Sequence, residues 1–332
     1  MSPLFTFLLE RGVNMNLKQM YEFFVQAGIE NDPRGKDEVN TKLKEVNEKY
    51  NKLNKQEKED FDVDLLTNPY ADSRIIFGTG DEEIKNIMVG IDIEAPELLI
   101  ANQLRLSGKK IDVVLGHHPK GKAFSTFYQV IGMQAEINEI QGVPINVSEK
   151  LIGSRLDEVG RSVAGSNHQR VYDAARLLNI PMMTAHTVAD NHVVKFLQSN
   201  IDALKPRYLK DIMAFLKDIP EYKYAKTFGN GPSILCGSRD SKCGKVFVDM
   251  TGGAEGPVEI IEKLANAGVG TIVGMHFSEK HYKELGKYKI NAIVAGHISS
   301  DNLGVNLMLD GLEKKYGQLE FIECSGFRRF RR

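Results

Sequence analysis

Short apolar runs alternate along this chain with stretches whose apolar residues recur at helical spacing. The first clear pattern is Leu17 to Ala27, where Met20, Phe23, Phe24 and Ala27 share one side of a helix before Asn31-Asp32-Pro33-Arg34-Gly35 breaks it. The charged stretch from Lys36 to Asp60 places Val39, Leu43, Val46, Tyr50 and Leu53 in steps of four and three, one narrow helical stripe. It predicts an amphipathic helix docked on its own subunit, with a partner-binding arm as the alternative. Residues 61–80 read as irregular. Regular alternation begins after them: a strand over Ile84 to Ile91, a helix over Pro96 to Leu106 with Pro in its first turn, and a strand over Ile111 to Leu115. A helix is then expected over Phe124 to Ile140, a strand over Val143 to Val147 with Ser148 capping the next element, mainly helix over 149–179, and a strand over 181–185. That order predicts parallel strands covered by helices.

Beyond it, Val193 to Leu216 is helical in character and interrupted at Pro206, Gly229 to Pro232 is a turn, and Ser233 to Cys236 is a short strand. Lys245 to Met250 forms a strand, the Gly-rich Thr251 to Pro257 a turn, and a helix runs to Ala267. Strands at 269–274 and 289–295 precede a helix from Ser300 to Tyr316, with Val305, Leu309, Leu312 and Tyr316 on one face. The expected architecture is α/β: two linked lobes with mainly parallel or mixed sheets covered by helices. A mostly helical N-terminal extension would cover 1–74, the first lobe 75–194, an inter-lobe connection 195–244 and the second lobe 245–332. Residues 1–14 read as an extension of little structural weight. The 332 residues suffice for two lobes with a sizeable core.

Composition narrows the function. The formal net charge is -1, so no global field draws the chain to nucleic acid or an anionic membrane. The tail Phe327-Arg328-Arg329-Phe330-Arg331-Arg332 is basic, and is expected to be a solvated end rather than an RNA grip. Cys236, Cys243 and Cys324 show no framework or CxxC spacing, which fits a reducing compartment. No apolar run approaches the ~20 residues of a membrane span. The opening apolar stretch Pro3 to Leu9 is short and closed by Glu10 and Arg11, so a signal peptide is not expected. The expected location is the cytoplasm.

The apolar runs carry the chemistry at their ends. Val113-Val114-Leu115-Gly116 leads into His117-His118-Pro119. The run at Pro181 reaches His186, with Asp190 four residues on. The run at Thr271 reaches His276. Ile290 to Gly296 reaches His297, with Asp301 four residues on. In open α/β sheets, ligands bind outside the carboxyl ends of strands. Adjacent histidines at a turn can fan over one opening. His117, His118, Asp190, His297 and Asp301 are therefore candidate ligands for Zn, Fe, Mn or Co. One carboxylate can bridge two ions, and too few ligands are present to fill two coordination spheres. Open positions mark a catalytic rather than a purely structural site. His186 and His276 are candidate orienting or proton-shuttling residues, with a core hydrogen-bonding role as the alternative. The turn with Gly252, Gly253 and Gly256 fits neither GxGxxG nor a Walker loop; it is either an anion cradle or a tight strand-to-helix turn.

In this order these motifs resemble the NIF-three-like dinuclear-metal family (the NGG-one-interacting-factor-three family). The resemblance spans Ile75 to Phe327. It rests on Gly90-Ile91-Asp92, Gly116-His117-His118-Pro119, Ala185-His186-Thr187 with Asp190, the Gly-rich turn, and Ala295-Gly296-His297 with Asp301. It implies two divalent metal ions per chain, held by His117, His118, Asp190, His297 and Asp301, in a cleft between two α/β lobes. It implies homo-oligomers, toroidal hexamers built from dimers. Members are commonly labelled GTP cyclohydrolase I type 2 homologues. The family usually carries Glu where Asp301 stands. The expected function is a metal-dependent hydrolase acting on a nucleotide or related small molecule, with no membrane or clear nucleic-acid partner. The alternative is a non-enzymatic metal-binding regulator or metal carrier.

Overall fold

The computed structural model describes residues 15–332; the segment 1–14 lies outside them. Helix α1 (Leu17–Glu30) starts at a reciprocal cap. The Gln19 amide N–H donates to Asn16 Oδ1 at 2.8 Å, and the Asn16 N–H donates to the Gln19 side chain at 3.0 Å. Its buried face carries Leu17, Met20 and Phe24. The charged stripe forms α2 (Lys36–Lys52) and, after a break at Leu53-Asn54, α3 (Lys55–Asp60). Val39 is fully buried in the core of α1 and the first sheet, and Leu43 packs against it, so α2 lies on its own chain.

The stretch expected to be irregular contains strand β1 (Arg74–Phe77). It begins with a buried arginine ion-paired to Asp62 and Asp64, and that polar start masks the strand in the sequence. Strand β2 (Asn86–Gly90), α4 (Ala95–Leu106) and β3 (Val113–Gly116) follow the expected pattern. The helix expected over Phe124 to Ile140 is split into α5 (Gly121–Thr126), a 3-10 segment (Phe127–Met133) and α6 (Gln134–Gln141).

Val143 to Val147 is not a strand. Val143 is buried beneath the helices, Pro144 precedes the first turn, and Ile145 opens the twenty-residue helix α7 (Ile145–Ala164). A short apolar run has no period of its own, so its β-branched residues gave a misleading signal. Ser148 therefore sits inside α7, where its hydroxyl accepts from Asn138. Helix α8 (Gln169–Leu178), β4 (Met182–Thr184) and α9 (Thr187–Leu204) complete this half.

Next come α10 (Leu209–Asp218), α11 (Pro220–Thr227), β5 (Ser233–Cys236), β6 (Lys245–Asp249), α12 (Ile260–Asn266) and β7 (Val269–Gly274). Then α13 (Glu279–Tyr288), β8 (Asn291–Val294), α14 (His297–Tyr316) and β9 (Glu320–Cys324) close the chain.

Among the described residues the strands form two mixed sheets. The first has the order β1-β4-β3-β2-β9 and the second β5-β8-β7-β6. In each, one edge strand, β1 or β5, is antiparallel and every other pairing is parallel. Two segments cross the boundaries expected from the sequence. Strand β5, in the stretch taken as a connection, pairs with β8 of the second sheet. Strand β9, at the end of the stretch taken as the second lobe, pairs with β2 of the first. The strand at Ser233 to Cys236 was expected but not its sheet, whereas β9 is only partly buried and shows no alternation.

Helices α9 and α14 are the layer common to both lobes. Val188, Ala189, Val305 and Met308 belong to the core of the first sheet. Val193, Leu197 and Leu303 belong to that of the second. The two helices approach closely where Gly304 meets Ala189: a Cβ at 304 would lie 2.5 Å from the Ala189 carbonyl oxygen, so only glycine fits. The basic tail is not a solvated end. Arg329 pairs with Asp310 and Glu313 of α14, Arg331 with Glu313, and Arg332 with Glu221 of α11. No helix among the described residues is long and apolar enough to cross a membrane.

Candidate metal centre

The carboxyl ends of β3, β4 and β8 deliver the site. At the end of β3, the backbone N–H groups of His117 and His118 both donate to the Ile91 carbonyl, at 3.1 and 3.0 Å, which pins the turn to the end of β2. His117 Nδ1 lies 3.0 Å from the Ala185 carbonyl and His118 Nδ1 2.7 Å from Asp92 Oδ1. His186, at the end of β4, places Nδ1 2.8 Å from Asp72 Oδ2. A carbonyl or carboxylate can only accept, so each Nδ1 carries a proton and each Nε2 is the nitrogen left to face the site. Asp190 stands one turn into α9, and His297 and Asp301 stand at i and i+4 on the first turns of α14.

These groups converge. His117 Nε2 is 3.5 Å from Asp190 Oδ1 and 3.6 Å from Asp301 Oδ1. Asp301 Oδ2 is 3.4 Å from His118 Nε2 and 3.6 Å from His297 Nε2. Asp301 therefore faces two sets at once, His117 with Asp190 on one side and His118 with His297 on the other. Although one methylene shorter than the Glu the resemblance leads one to expect, it lies 3.4–3.6 Å from imidazoles of both sets. His117 Nε2, Asp190 Oδ1 and both Asp301 oxygens are buried and have no hydrogen-bond partner among the described residues.

Buried polar atoms left unpaired in this way are costly and rare. Imidazole nitrogens and carboxylate oxygens close enough to share an ion explain them. The sets His118, His297, Asp301 and His117, Asp190, Asp301 each bring one ligand atom per residue within 4.8 Å of the others, as does His117, His118, His186. The donor set suits a borderline divalent metal.

The electrostatics agree with a cluster that needs a cation. Burial pushes the His117 imidazole down to about 4, so it is a neutral donor at pH 7. Burial pushes the Asp190 carboxyl up to about 8. At Asp301 burial also opposes ionisation, but the surrounding imidazoles, His117 foremost, hold the carboxyl well below the usual range. For His118 burial is outweighed by its hydrogen bonds to Asp301 and Asp92, which push it up to about 9. Protons thus occupy places a metal would take, and metal binding would displace them.

The cluster forms one end of a cleft whose opposite wall belongs to the second lobe. His276, at the end of β7, points Nδ1 at Glu255 Oε1 (3.4 Å), and its ring centroid lies 4.9 Å from that of His297. Half its side chain is exposed to the cleft. His281 is fixed at both nitrogens, by Ser278 and the Gly256 carbonyl, and plays a structural part. In the Gly-rich turn, Gly252 and Gly253 have positive φ, and a Cβ on either would strike Gln134 or Val130. Gln134 donates to the carbonyls of Gly252 and Ala254, tying the turn to α6. Close packing therefore accounts for these two glycines, while Gly253 and Gly256 also line the cleft. No Lys or Arg is among the described residues lining it.

All the candidate ligands named from the sequence meet in this cluster. His186, expected to orient or shuttle protons, joins the imidazoles, and His276 stands across from them. Sequence reasoning missed Asp72, Glu255 and the partnership of Asp92 with His118. Asp92 ends an apolar run and was noticeable as such. Asp72 lies in a stretch with no periodic signal.

Fold and cluster together define a two-lobed α/β protein with a His/Asp group at the cleft between its sheets, able to hold metal. Structural neighbours support the NIF3-like family for this chain. The chain is similar to the crystal structure of a NIF3 superfamily protein from Sphaerobacter thermophilus, at 29% identity and TM-score 0.67, over 77% of this chain and 91% of that one. More distant resemblances include reduced HcgD from Methanocaldococcus jannaschii, at 16% identity and TM-score 0.45 over 75% and 87% of the two chains. Another is the protein ybgI, described as of unknown function, at 13% identity and TM-score 0.42 over 86% and 97%. No family model and no curated protein matches the chain.

Proposed function

We propose that the cluster holds two divalent metal ions, drawn from Zn, Fe, Mn and Co, and that the protein is a metal-dependent hydrolase acting on a nucleotide or a related compound. The reading rests on one observation above the others: four buried, unpartnered atoms of His117, Asp190 and Asp301 converge at the inner end of an open cleft. His118, His297 and Asp301 would hold one ion and His117, Asp190 and Asp301 the other. Divalent ions in such a site supply Lewis acidity and activate water as a nucleophile at neutral pH.

The chain's own residues do the rest. Asp92 and the Ala185 carbonyl hold the His118 and His117 rings in their metal-facing tautomers. His276 gives or takes a proton on the cleft side, with Nδ1 held by Glu255. That hydrogen bond raises its pKa from the ordinary histidine value. Met250, Met275 and Phe277 offer an apolar wall against which a flat base would lie. With no Lys or Arg lining the cleft, phosphates would be met by the ions and by the backbone at Gly253 and Gly256. Assembly into a homo-oligomer, a hexamer built from dimers, belongs to the same proposal.

The alternative, a regulator or metal carrier, needs a free surface for a partner. Val39 and Leu43 of α2, the helix considered for that role, pack inward on the chain's own core. Elemental analysis of the purified protein, with a turnover screen over nucleotides with and without chelator, tests the proposal. Metal near two ions per chain with chelator-sensitive hydrolysis is expected. Metal-free protein from a metal-supplemented preparation would overturn it, and metal without turnover on any nucleotide would leave only the carrier reading.

A further inference from the structure

We infer that His186 is a direct metal ligand rather than a proton shuttle, and that Asp72 is the residue that positions it. The inference rests on the metal-site reading above and adds a sixth donor to it. Among the imidazoles of the site, His117, His118 and His186 share one arrangement. Each has Nδ1 tied to an acceptor, and their Nε2 atoms face one another with no competing protein donor between them. The His186 ring centroid lies 4.9 Å from that of His117 and 5.9 Å from that of His118, and Nε2 is 3.8 Å from Asp190 Oδ2. The His186 side chain is only 11% exposed, whereas a shuttle exchanging protons with bulk water needs an open face. His276, at 53%, has one.

Asp72 is wholly buried, and its three donors all serve this spot. His186 Nδ1 and the Thr187 hydroxyl (2.6 Å) meet Oδ2, and the Ser73 hydroxyl meets Oδ1 at 3.1 Å. Ser73 Oγ in turn accepts the His186 backbone N–H at 3.0 Å. Burying a carboxylate is expensive unless it is fully hydrogen-bonded. This one is, and all of its partners fix the backbone and ring of His186 and the first residue of α9. A carboxylate on Nδ1 that fixes the tautomer and raises the basicity of Nε2 is the usual companion of a metal-bound imidazole. The competing arrangement is an imidazolium bridging Asp72 and Asp190 with no metal involved. It makes opposite predictions for metal affinity and for chemical rescue.

The test uses the full chain loaded with Co2+, whose visible absorption reports the ligand set. His186→Ala and His186→Gln are compared with the wild type for Co2+ affinity by chelator competition and for the shape and intensity of the visible bands. Asp72→Asn is measured alongside, and circular dichroism reports the fold. Removal of His186 is expected to weaken Co2+ by at least ~10-fold and to change the bands. Added imidazole should restore them in His186→Ala, where it can fill the space left by the ring. Asp72→Asn should weaken Co2+ by ~10–100-fold, as outer partners of metal-bound histidines do. Wild-type bands and affinity in folded His186→Gln would overturn the inference while leaving the metal site intact. Failure of the wild type to bind Co2+ would instead remove the metal-site reading itself, and the inference with it.

Discussion

The two walls of the cleft use histidine in opposite ways. On the first-lobe wall, His117, His118 and His186 are buried or nearly so, and each is held at Nδ1 by a carbonyl or carboxylate. On the second-lobe wall, His276 is about half exposed, with 53% of its side chain open to solvent. One wall is prepared to hold something rigidly. The other is free to meet whatever enters. The difference teaches that histidine at a strand end is not one signal. The Nδ1 partner and the depth of burial separate a ligand from a group that can exchange protons.

The sharpest way to break this comparison is His118→Ala. The residue follows β3 on a turn and contributes little to the core, so circular dichroism should show an intact fold. Metal affinity should fall by more than ~100-fold, beyond the ~10–100-fold expected of an outer partner. Global unfolding with metal still bound would end the ligand assignment.

Asp301→Asn is expected to have a smaller effect on occupancy. It removes the charge facing both ligand sets, and calorimetric titration should show metal falling from about two ions per chain toward one. Turnover should fall much further, since hydrolysis in such a site uses both ions. Unchanged two-site binding would make Asp301 a bystander.

Next in size is a pH effect. His118 is pushed up to about 9 by Asp301 and Asp92 against burial, and burial pushes Asp190 up to about 8. Both raised values mean that, between about pH 6.5 and 8, the folded metal-free protein binds more protons than the unfolded chain. Stability must then fall as pH rises through that window. His117, lowered to about 4, acts in the opposite sense but only below it. Thermal denaturation of chelator-stripped protein should show the fall, and added Zn2+ should flatten it. A flat profile without metal would contradict the buried, proton-sharing cluster.

The smallest effect on occupancy belongs to His276→Ala, which should leave metal content unchanged. If His276 transfers protons, turnover on any substrate found should still drop by ~10²-fold or more. Lost metal would move His276 to the holding wall and erase the contrast.

Much of this arrangement was legible in the sequence, and for physical reasons. A buried parallel strand must be a nearly unbroken apolar run, and a ligand at its end must come directly after it, so Leu115-Gly116-His117-His118 and Ala295-Gly296-His297 could be read directly. The four-residue step from His297 to Asp301 at a strand-to-helix junction suggested that both reach one cluster, and in the structure both stand on the first turns of α14 with their side chains 3.6 Å apart. What could not be read were contacts made across sequence distance. Asp72 and His186 are 114 residues apart, and nothing near Asp72 carries a period. Strand β9 joins a sheet whose other strands end at Thr184, and Val143 to Val147 looked like a strand because five residues are too few to show a helical repeat.

Gly304 has a wider meaning. It lets α9 and α14 touch backbone to backbone beside Asp190 and one turn from Asp301, the two carboxylates that one ion would have to share. The separation of those acids is thereby a dimension of the scaffold, gauged by a missing methyl group. A chain built this way holds its aperture to a fixed calibre. Guests must fit the opening as they find it, and a single added carbon at position 304 would change what the opening admits.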